Sequence, residues 1–238
     1  MGTRRLLLLS NSTNFGGGFL EHATDAIQSF LGADVHELLF IPFAAVRFSY
    51  DAFAARVQES LAPMGYRVRS IHTTEDAVAA VGAAEAIVVG GGNTFRLLEL
   101  LYRYELLEPI RKRVRSGVPY VGWSAGSNVA CPSVRTTNDM PITEPPSLSA
   151  LNLVPFQINP HYTDAAIPEH GGETRAERLQ EFVAANPGMP VLALREGSTL
   201  RVEGESWTLL GERSARVFGR RAEPIELAPG ATLDALRA

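Results

Sequence analysis

The stretch Val118–Gly126 reads VPYVGWSAG. Its first residues form a short apolar run typical of a buried strand, and a glycine-flanked serine follows directly. Helical patterns separate this run from four predicted strands upstream, at Leu6–Leu9, Leu38–Ile41, Tyr66–Ile71 and Ala86–Val89, several of which are also apolar runs. Near-continuous apolar strands are typical of a parallel sheet that is buried on both faces. The sequence therefore predicts a three-layer α/β fold, in which ligands bind beyond the carboxyl ends of the strands.

The intervening patterns predict helices at Phe19–Leu31, Tyr50–Leu61, Thr74–Val81 with Thr74 as its cap, Asn93–Tyr102 and Leu107–Val114. The second half is more mixed. Residues 132–155 hold five prolines and little periodicity, which indicates a long functional loop. A helix is expected at Glu173–Ala185, and strands at Val191–Leu194, Thr199–Val202 and Trp207–Leu210. We expect the last two strands to pair around Glu203–Glu205 and to form a small antiparallel edge.

The composition is that of a globular protein of 238 residues, with 45% hydrophobic and 20% charged residues. This content is enough for a sizeable core and excludes wholesale disorder. The net charge of −4 lacks the basic excess of nucleic-acid-binding proteins, so no nucleic-acid partner is expected. Because no linker or internal repeat is visible, residues 1–238 are predicted to form one catalytic domain. The sequence leaves open whether the protein is a monomer or a homodimer.

The single cysteine, Cys131, excludes an intrachain disulfide and a cysteine-rich zinc site, and it favours a reducing, cytoplasmic location. No apolar run approaches the ~18 residues that span a bilayer, so no membrane contact is expected. The run Leu6–Leu9 is also shorter than the apolar part of a signal peptide. No metal is expected, because no histidine or carboxylate cluster has ligand spacing.

The residues Gly122–Gly126 match the pattern G-x-S-x-G between a predicted strand and a helix-compatible stretch, Ser127–Cys131. In that context the serine lies on a tight turn with its hydroxyl above the sheet, as a nucleophile requires. Ser124 is therefore the candidate nucleophile. The alternative is a glycine-flanked turn that carries an ordinary serine.

A serine nucleophile needs a base, and the base needs a carboxylate that fixes its tautomer. Of five histidines, His161 is distinguished by its place on a loop after an apolar strand, Phe156–Pro160, which is where the elbow also lies. The others, at a helix, at strand edges or in a polar loop, are expected to be structural or solvated, namely His22, His36, His72 and His170. Asp139 in the long loop is the candidate acid, and its position gives the order Ser…Asp…His. Other acids remain open at this point, namely Glu144, Asp164, Glu169 and Glu196.

Gly90–Gly92 forms a glycine-rich loop between a strand and a helix. It lacks the Lys-Ser/Thr of a P-loop and the spacing of G-x-G-x-x-G, so no nucleotide cofactor is expected. A bare glycine N–H beside the serine could instead hold an oxyanion together with the N–H of Ala125. A tight turn without a ligand is the alternative.

At these residues the sequence resembles the peptidase E family, the serine-type α-aspartyl dipeptidases. The resemblance covers nearly the whole chain and rests on eight segments: Leu9–Thr13, Phe40–Ala44, Val89–Phe95, Gly122–Gly126, Ala130–Pro132, Arg135–Pro141, Gln157–His161 and Gly172–Arg175. It implies a flavodoxin-like α/β fold related to class I glutamine amidotransferases, with no cofactor. It also implies hydrolysis of dipeptides that begin with aspartate (Asp-X).

The resemblance assigns roles to individual positions. The family's nucleophile falls on Ser124, its base on His161 and its triad acid on Asp139, and its oxyanion donors fall on Gly92 and Ala125. Arg175 falls on the arginine that recognises the aspartyl side chain, and Glu196 on an acid near the site. The implied chemistry is an acyl-enzyme on Ser124, with His161 as base and then acid. Ser127 stands where the family often has alanine.

Two other readings compete with this one. The closest is a related serine hydrolase, either a cyanophycinase-type peptidase or an esterase, but an esterase has no need of the carboxylate-binding fork of Arg175. The other is a non-catalytic small-molecule binding module. The presence of Ser124, His161 and Asp139 together argues against that second alternative.

Overall fold

The computed structural model describes residues 3–165, 171–219, 221 and 223–233. Within them the strands are β1 (Arg5–Leu9), β2 (Glu37–Ile41), β3 (Arg67–Ser70), β4 (Ala86–Val89), β5 (Tyr120–Trp123), β6 (Gln157–Tyr162), β7 (Val191–Arg195), β8 (Ser198–Glu203), β9 (Ser206–Gly211), β10 (Ala215–Phe218) and β11 (Ile225–Leu227). The helices are α1 (Thr24–Leu31), α2 (Tyr50–Leu61), α3 (Ala77–Ala83), α4 (Thr94–Arg103), α5 (Leu107–Arg115), α6 (Ala125–Asn128) and α7 (Arg175–Ala185).

The larger sheet has seven strands in the order β3-β2-β4-β5-β1-β8-β9. Its first five strands are all parallel, while β8 runs antiparallel to β1 and pairs with β9 through a hairpin. The predicted parallel sheet and its antiparallel edge are therefore confirmed. Because parallel strands end at one edge, the residues that follow β1, β4 and β5 come together there.

Both faces of the larger sheet are covered. In β1, Leu6 and Leu8 pack in one hydrophobic cluster with α3, α4 and α5, whereas Leu7 and Leu9 pack in a second cluster with α1 and α2. This alternation is why each central strand reads as a continuous apolar run. The predicted three layers are confirmed.

A second sheet carries part of the candidate site. Its four strands follow the order β11-β10-β7-β6, and only β6 and β7 are parallel. One face shares the first cluster with the larger sheet, through Leu192 and Leu194 among others. The other face packs Tyr162 and Val191 against Leu179 of α7.

Three local predictions need correction. The helix expected from Phe19 begins as a 3-10 turn at Glu21–Ala23, and its α-helical part, α1, starts at Thr24. The helix expected from Thr74 begins at Ala77, and Asp76 caps it by accepting a hydrogen bond of 2.9 Å from the N–H of Ala79. The Thr74 hydroxyl instead donates to the carbonyl of Ile71 and closes a short 3-10 turn. The helix expected at Ser127–Cys131 is the single turn α6, which starts directly after Ser124.

The predicted long loop at 132–155 contains no helix or strand longer than an isolated bridge between Ser133 and Ser149. Its two ends are anchored in the core, because Val134 and Ala150 are both buried. The middle is exposed at Met140 and Ile142. The loop thus extends from the end of α6 and returns to the start of β6.

Candidate active site

Ser124 lies at the sharp turn between β5 and α6. Its backbone has φ 53° and ψ −112°, a region that residues with a side chain rarely adopt. The flanking glycines are required by space, since a Cβ on Gly126 would lie 2.2 Å from the carbonyl oxygen of Val89, and one on Gly122 would lie 2.6 Å from the backbone of Gly126. The turn therefore has the geometry of a nucleophile elbow.

Ser127 stabilises this turn by hydrogen bonds to β1 and β5. Its buried hydroxyl lies 2.6 Å from the carbonyl oxygen of Leu9 and 2.9 Å from that of Gly122. The N–H of Ser124 also donates to Leu9, over 3.1 Å. Serine at this position therefore links the turn to β1, a contact that alanine could not make.

His161 approaches Ser124 from the second sheet. The sequence predicts a loop at this residue, but β6 continues through it to Tyr162 with a bulge after Asn159. His161 has φ 52°, and this irregularity turns its ring toward the elbow. Its Nε2 lies 2.9 Å from the Ser124 hydroxyl, which is the distance a general base needs.

Glu196, rather than Asp139, contacts the other ring nitrogen of His161. The distance from Nδ1 to the Glu196 Oε1 is 2.7 Å, and the acid follows directly after β7, the parallel neighbour of β6. With the Nδ1 proton donated to Glu196, Nε2 is free to accept the serine proton. The prediction that Asp139 orients the imidazole does not agree with this geometry and is corrected to Glu196.

Asp139 instead lies at the start of α4. One carboxylate oxygen, Oδ2, accepts hydrogen bonds from the N–H of Thr94 over 2.7 Å and from the Thr137 hydroxyl over 3.2 Å. This carboxylate is therefore bound to the helix that follows the glycine loop. It remains beside the site, although it does not contact His161.

Ser10 and Asn11 hold the ends of β6 and β7 in place, a role that the sequence alone does not indicate. The Ser10 hydroxyl donates to the carbonyl of Leu194 over 2.8 Å and accepts from the N–H of His161 over 2.9 Å. The Asn11 Oδ1 accepts from the N–H of Gly197 over 2.8 Å. The only sequence feature that points to them is the polar run directly after the first apolar strand.

A charged network lies beside the same two strand ends. Arg195 donates to Asp164 over 2.7 Å and to Glu226 over 2.5 Å, and Arg216 joins both acids. Burial opposes ionisation of Glu226, but the hydrogen bonds from Arg195 and its neighbours lower its pKa to about 2. Asp164 is therefore a member of this network rather than an acid for His161, and its pKa is also lowered, mainly by Arg195.

The two predicted oxyanion donors flank the elbow. A Cβ on Gly91 would lie 3.0 Å from the Cβ of Ser124, so the glycine loop packs directly on the serine. Gly92 has φ 138° and would place a Cβ 2.2 Å from the carbonyl oxygen of Ala44. Ala125 begins α6, and neither its N–H nor that of Gly92 donates to another group in the described ranges.

Arg175 is the first residue of α7. Thr174 and Glu177 form a capping box that fixes the start of this helix, a signal the spacing Thr-x-x-Glu could have revealed. The guanidinium donates to the Asn138 Oδ1, and no carboxylate of the described residues forms an ion pair with it. Burial, and to a smaller extent the charge of Arg178, lowers the pKa of Arg175 from its usual value.

None of the remaining candidates contacts Ser124 in the described residues, although His22 lines the same cavity as Glu196. Burial raises the pKa of the Cys131 thiol well above its usual range. His72 lies between Ser70 and Asp51, and His22 is a partly buried ring whose pKa burial lowers. Glu169 and His170 lie outside the described residues. No metal-binding cluster and no helix able to cross a membrane occur among the residues that the structure describes.

Comparison with known protein families shows which family this chain belongs to. The family model for peptidase family S51 matches residues 6–210. The chain belongs to peptidase family S51. Proteins named peptidase E from Streptomyces coelicolor and Nostoc sp. are 55% and 49% identical, over 97% and 98% of this chain and 94% and 97% of theirs. A probable alpha-aspartyl dipeptidase of Drosophila melanogaster is 52% identical over 97% of this chain and 96% of its own.

Solved structures agree on the fold of this S51 peptidase. A putative peptidase E from Listeria monocytogenes superposes with a TM-score of 0.67 at 21% identity, over 88% of this chain and 99% of that one. A peptidase from an acI-B1 actinobacterium gives a TM-score of 0.71 at 18% identity, over 97% and 96%. The expected fold of the family is therefore confirmed, as is the family resemblance itself.

Proposed function

We propose that this S51 peptidase is a serine dipeptidase that cleaves dipeptides with an N-terminal aspartate. The main support is the state of Arg175. Its guanidinium is partly desolvated and has no carboxylate partner among the described residues. A desolvated cation binds an ionised group far better than a neutral one, because only the former offsets its lost hydration. The name of the Drosophila relative supports the same substrate class.

The first chemical step uses the contacts of His161. The Ser124 hydroxyl attacks the carbonyl carbon of the aspartyl residue while His161 Nε2 takes its proton, across the 2.9 Å that separates them. Glu196 stabilises the imidazolium through its 2.7 Å hydrogen bond to Nδ1. Aligning this acid–base pair contributes a factor of about 10² to 10⁴ to the rate.

The negative charge of the tetrahedral intermediate falls on the carbonyl oxygen. The N–H groups of Gly92 and Ala125 are the proposed donors, since neither is used by another group of the described chain. His161 then gives its proton to the leaving amine, which departs with the second residue. Water attacks the acyl-enzyme by the same route and releases aspartate.

Arg175 is the proposed binding group for the β-carboxylate of the substrate. Its guanidinium donates to the amide oxygen of Asn138, a neutral acceptor that an entering carboxylate can replace. Asn138 is held independently, because its Nδ2 donates to the carbonyl of Pro160 over 2.7 Å. Arg175 is thus connected, through Asn138, to the residue that precedes His161.

The competing readings account for less of this arrangement. An esterase or a binding module would have no use for both an aligned Ser124–His161–Glu196 set and an arginine that, among the described residues, has no carboxylate partner. A cyanophycinase-type peptidase would share the catalytic set, and it differs from a dipeptidase in the length of substrate it takes. Cleavage of free Asp-Leu separates these two possibilities.

The experiment measures kcat/KM for Asp-Leu, Asn-Leu and Glu-Leu with wild type, Arg175→Ala and Arg178→Ala. Arg178 is the matched control, because it lies one turn along α7 and is well exposed beside Glu173. We expect wild type and Arg178→Ala to prefer Asp-Leu over Asn-Leu by at least a hundredfold, and Arg175→Ala to lose most of that preference. If Arg175→Ala keeps the same ratio, another cation selects the substrate.

We also propose a domain organisation and a cellular compartment for this protein. Residues 1–238 are proposed to act as one catalytic domain, which the hydrophobic cluster shared by both sheets supports. A reducing, cytoplasmic compartment is proposed on the basis of a single buried cysteine without a disulfide partner.

A further inference from the structure

An N-terminal aspartate carries two opposite charges close to the scissile bond. Its β-carboxylate needs a cation, for which Arg175 is available, but its α-ammonium needs an anion. Glu196 already contacts His161, and Asp164 is paired with two arginines. The acid without a cation partner in the described part of this region is Asp139.

The segment 138–140 crosses the candidate site. On one side the Asn138 side chain donates to the carbonyl of Pro160, the residue before His161. On the other side the carbonyl of Met140 accepts from the Nδ2 of Asn93, the residue after Gly92, over 2.8 Å. Asp139 therefore lies between the base and the glycine loop that packs on Ser124.

The hydrogen bonds of Asp139 leave one acceptor atom free. Both contacts, from the Thr94 N–H at 2.7 Å and from the Thr137 hydroxyl at 3.2 Å, are made to Oδ2. Oδ1 has no hydrogen-bond partner in the described ranges, and the side chain is only partly buried. The carboxylate lies at the N-terminus of α4, where its Oδ2 faces the N–H of Thr94.

We propose that Asp139 binds the α-ammonium group of the substrate through its free Oδ1. This inference rests on the proposed function, and it gives Asp139 a role in binding in place of the orienting role that Glu196 takes. Arg175, bound to Asn138, and the adjacent Asp139 would together hold the two charges of one aspartyl residue. The pair would require a free N-terminus, so an internal Asp-X bond would be refused.

The test compares Asp-Leu with succinyl-Leu, which is the same molecule without its amino group. Wild type is expected to prefer Asp-Leu in kcat/KM by about 10- to 100-fold, the usual worth of a hydrogen bond to a charged group. Asp139→Asn keeps an oxygen for Thr94 but loses the charge. It should lower kcat/KM for Asp-Leu by that factor and leave succinyl-Leu unchanged.

Three controls distinguish a binding role of Asp139 from a purely structural one. Glu144 is an exposed acid of the same loop, so Glu144→Gln should leave kcat/KM unchanged for both substrates. Asp139→Glu keeps the charge on a longer stem, so it should retain part of the preference for Asp-Leu, whereas a purely capping role makes it more harmful than asparagine. The melting temperature of each variant checks that the fold persists.

The pH profile gives a readout that packing alone would not move. The α-amino group of the substrate loses its proton near pH 8. In wild type, kcat/KM for Asp-Leu should fall above that pH while the value for succinyl-Leu does not, and Asp139→Asn should flatten the difference. This comparison in wild type needs no variant to fold.

The inference would be overturned if Asp139→Asn lowered kcat/KM equally for Asp-Leu and succinyl-Leu. It would also be overturned if the variant changed kcat/KM for neither substrate. Both results presuppose that wild type releases aspartate from Asp-Leu and that Ser124→Ala does not. If wild type fails to cleave Asp-Leu at all, the proposed function fails, and the inference that rests on it fails with it. The two failures are therefore distinguishable in one set of assays.

Discussion

The imidazole of His161 and the carboxylate of Glu196 approach to 2.7 Å although 35 residues separate them in the chain. They meet because β6 and β7 are parallel neighbours that end at the same edge of the second sheet. Ser124 comes to the same place from the larger sheet, after β5. The catalytic set therefore depends on how the two sheets are joined.

Ser10 provides that joint. It follows β1 of the larger sheet, is completely buried, and through one hydroxyl contacts both the N–H of His161 and the carbonyl of Leu194 in β7. Because that hydroxyl satisfies the N–H of the residue that carries the base, it ties the position of the imidazole to the larger sheet. The elbow is tied to β1 as well, through the carbonyl of Leu9.

Glu196→Gln should lower kcat by about 10² to 10⁴ while the fold persists, because a neutral amide cannot stabilise the imidazolium. The loss should be similar for Asp-Leu and succinyl-Leu, since it acts on the base rather than on binding. Glu59→Gln is the control, as an exposed acid on α2. A variant at Glu196 that keeps more than a third of kcat would show that this acid is dispensable.

Ser10→Ala should reduce both stability and turnover. Two buried backbone groups lose their partner, which costs about 1 to 3 kcal/mol. A displacement of the imidazole by about 1 Å would lower kcat up to a hundredfold. Ser12→Ala is the control, because the Ser12 hydroxyl makes no hydrogen bond within the described residues. Lower stability with unchanged kcat would limit Ser10 to a structural role.

Ser124→Ala should fold normally and lose about 10⁴- to 10⁶-fold in kcat, as nucleophile removal does in other serine peptidases. Ser124→Gly should be inactive too, yet more stable than Ser124→Ala by about 1 kcal/mol. The reason is the backbone of this turn, with φ 53° and ψ −112°, which glycine adopts without strain. Urea unfolding of the two variants tests this, and equal stabilities would mean that the turn stores no strain.

The sequence allowed β1, β2, β4 and β5 to be predicted because each is largely a run of apolar residues buried on both faces. The fifth parallel strand, β3, is also predicted, although Arg67 and Arg69 in it are exposed. The sequence also allowed Ser124 and His161 to be paired, since both were expected just after strands, although His161 lies inside β6 and β6 belongs to the second sheet. These inferences depend on local patterns that the fold leaves in the sequence. The short strands β10 and β11 leave little such pattern, and they were not predicted.

The choice between Asp139 and Glu196 could not be made in this way. Both acids follow segments that lead toward the site, and a motif does not say which one reaches Nδ1. That is decided by the bulge in β6, which carries the strand through His161 and turns the ring toward β7. Bulges depend on pairing with a distant strand, so the residues near Pro160 alone suggested a loop.

Glu226→Gln should reduce stability near neutral pH and make the protein less sensitive to acid. The pKa of Glu226 is about 2 in the folded protein, against 4.5 for an unperturbed glutamate, since hydrogen bonds from Arg195 and Arg216 outweigh its burial. A carboxyl group with a lowered pKa contributes stability above its unfolded value and loses that contribution as the pH falls toward the folded value. The relevant window is therefore pH 4.5 to 2.

The side chain is nearly half exposed, so solvent screening limits the effect to about 1 kcal/mol. Urea unfolding at pH 7, 4.5, 3 and 2 should show wild type more stable than Glu226→Gln at the two higher values, with the difference shrinking below pH 4.5. Glu181→Gln, an exposed change on α7, should track wild type throughout. A difference that stays constant down to pH 2 would mean that Glu226 stabilises the network through packing rather than through its charge.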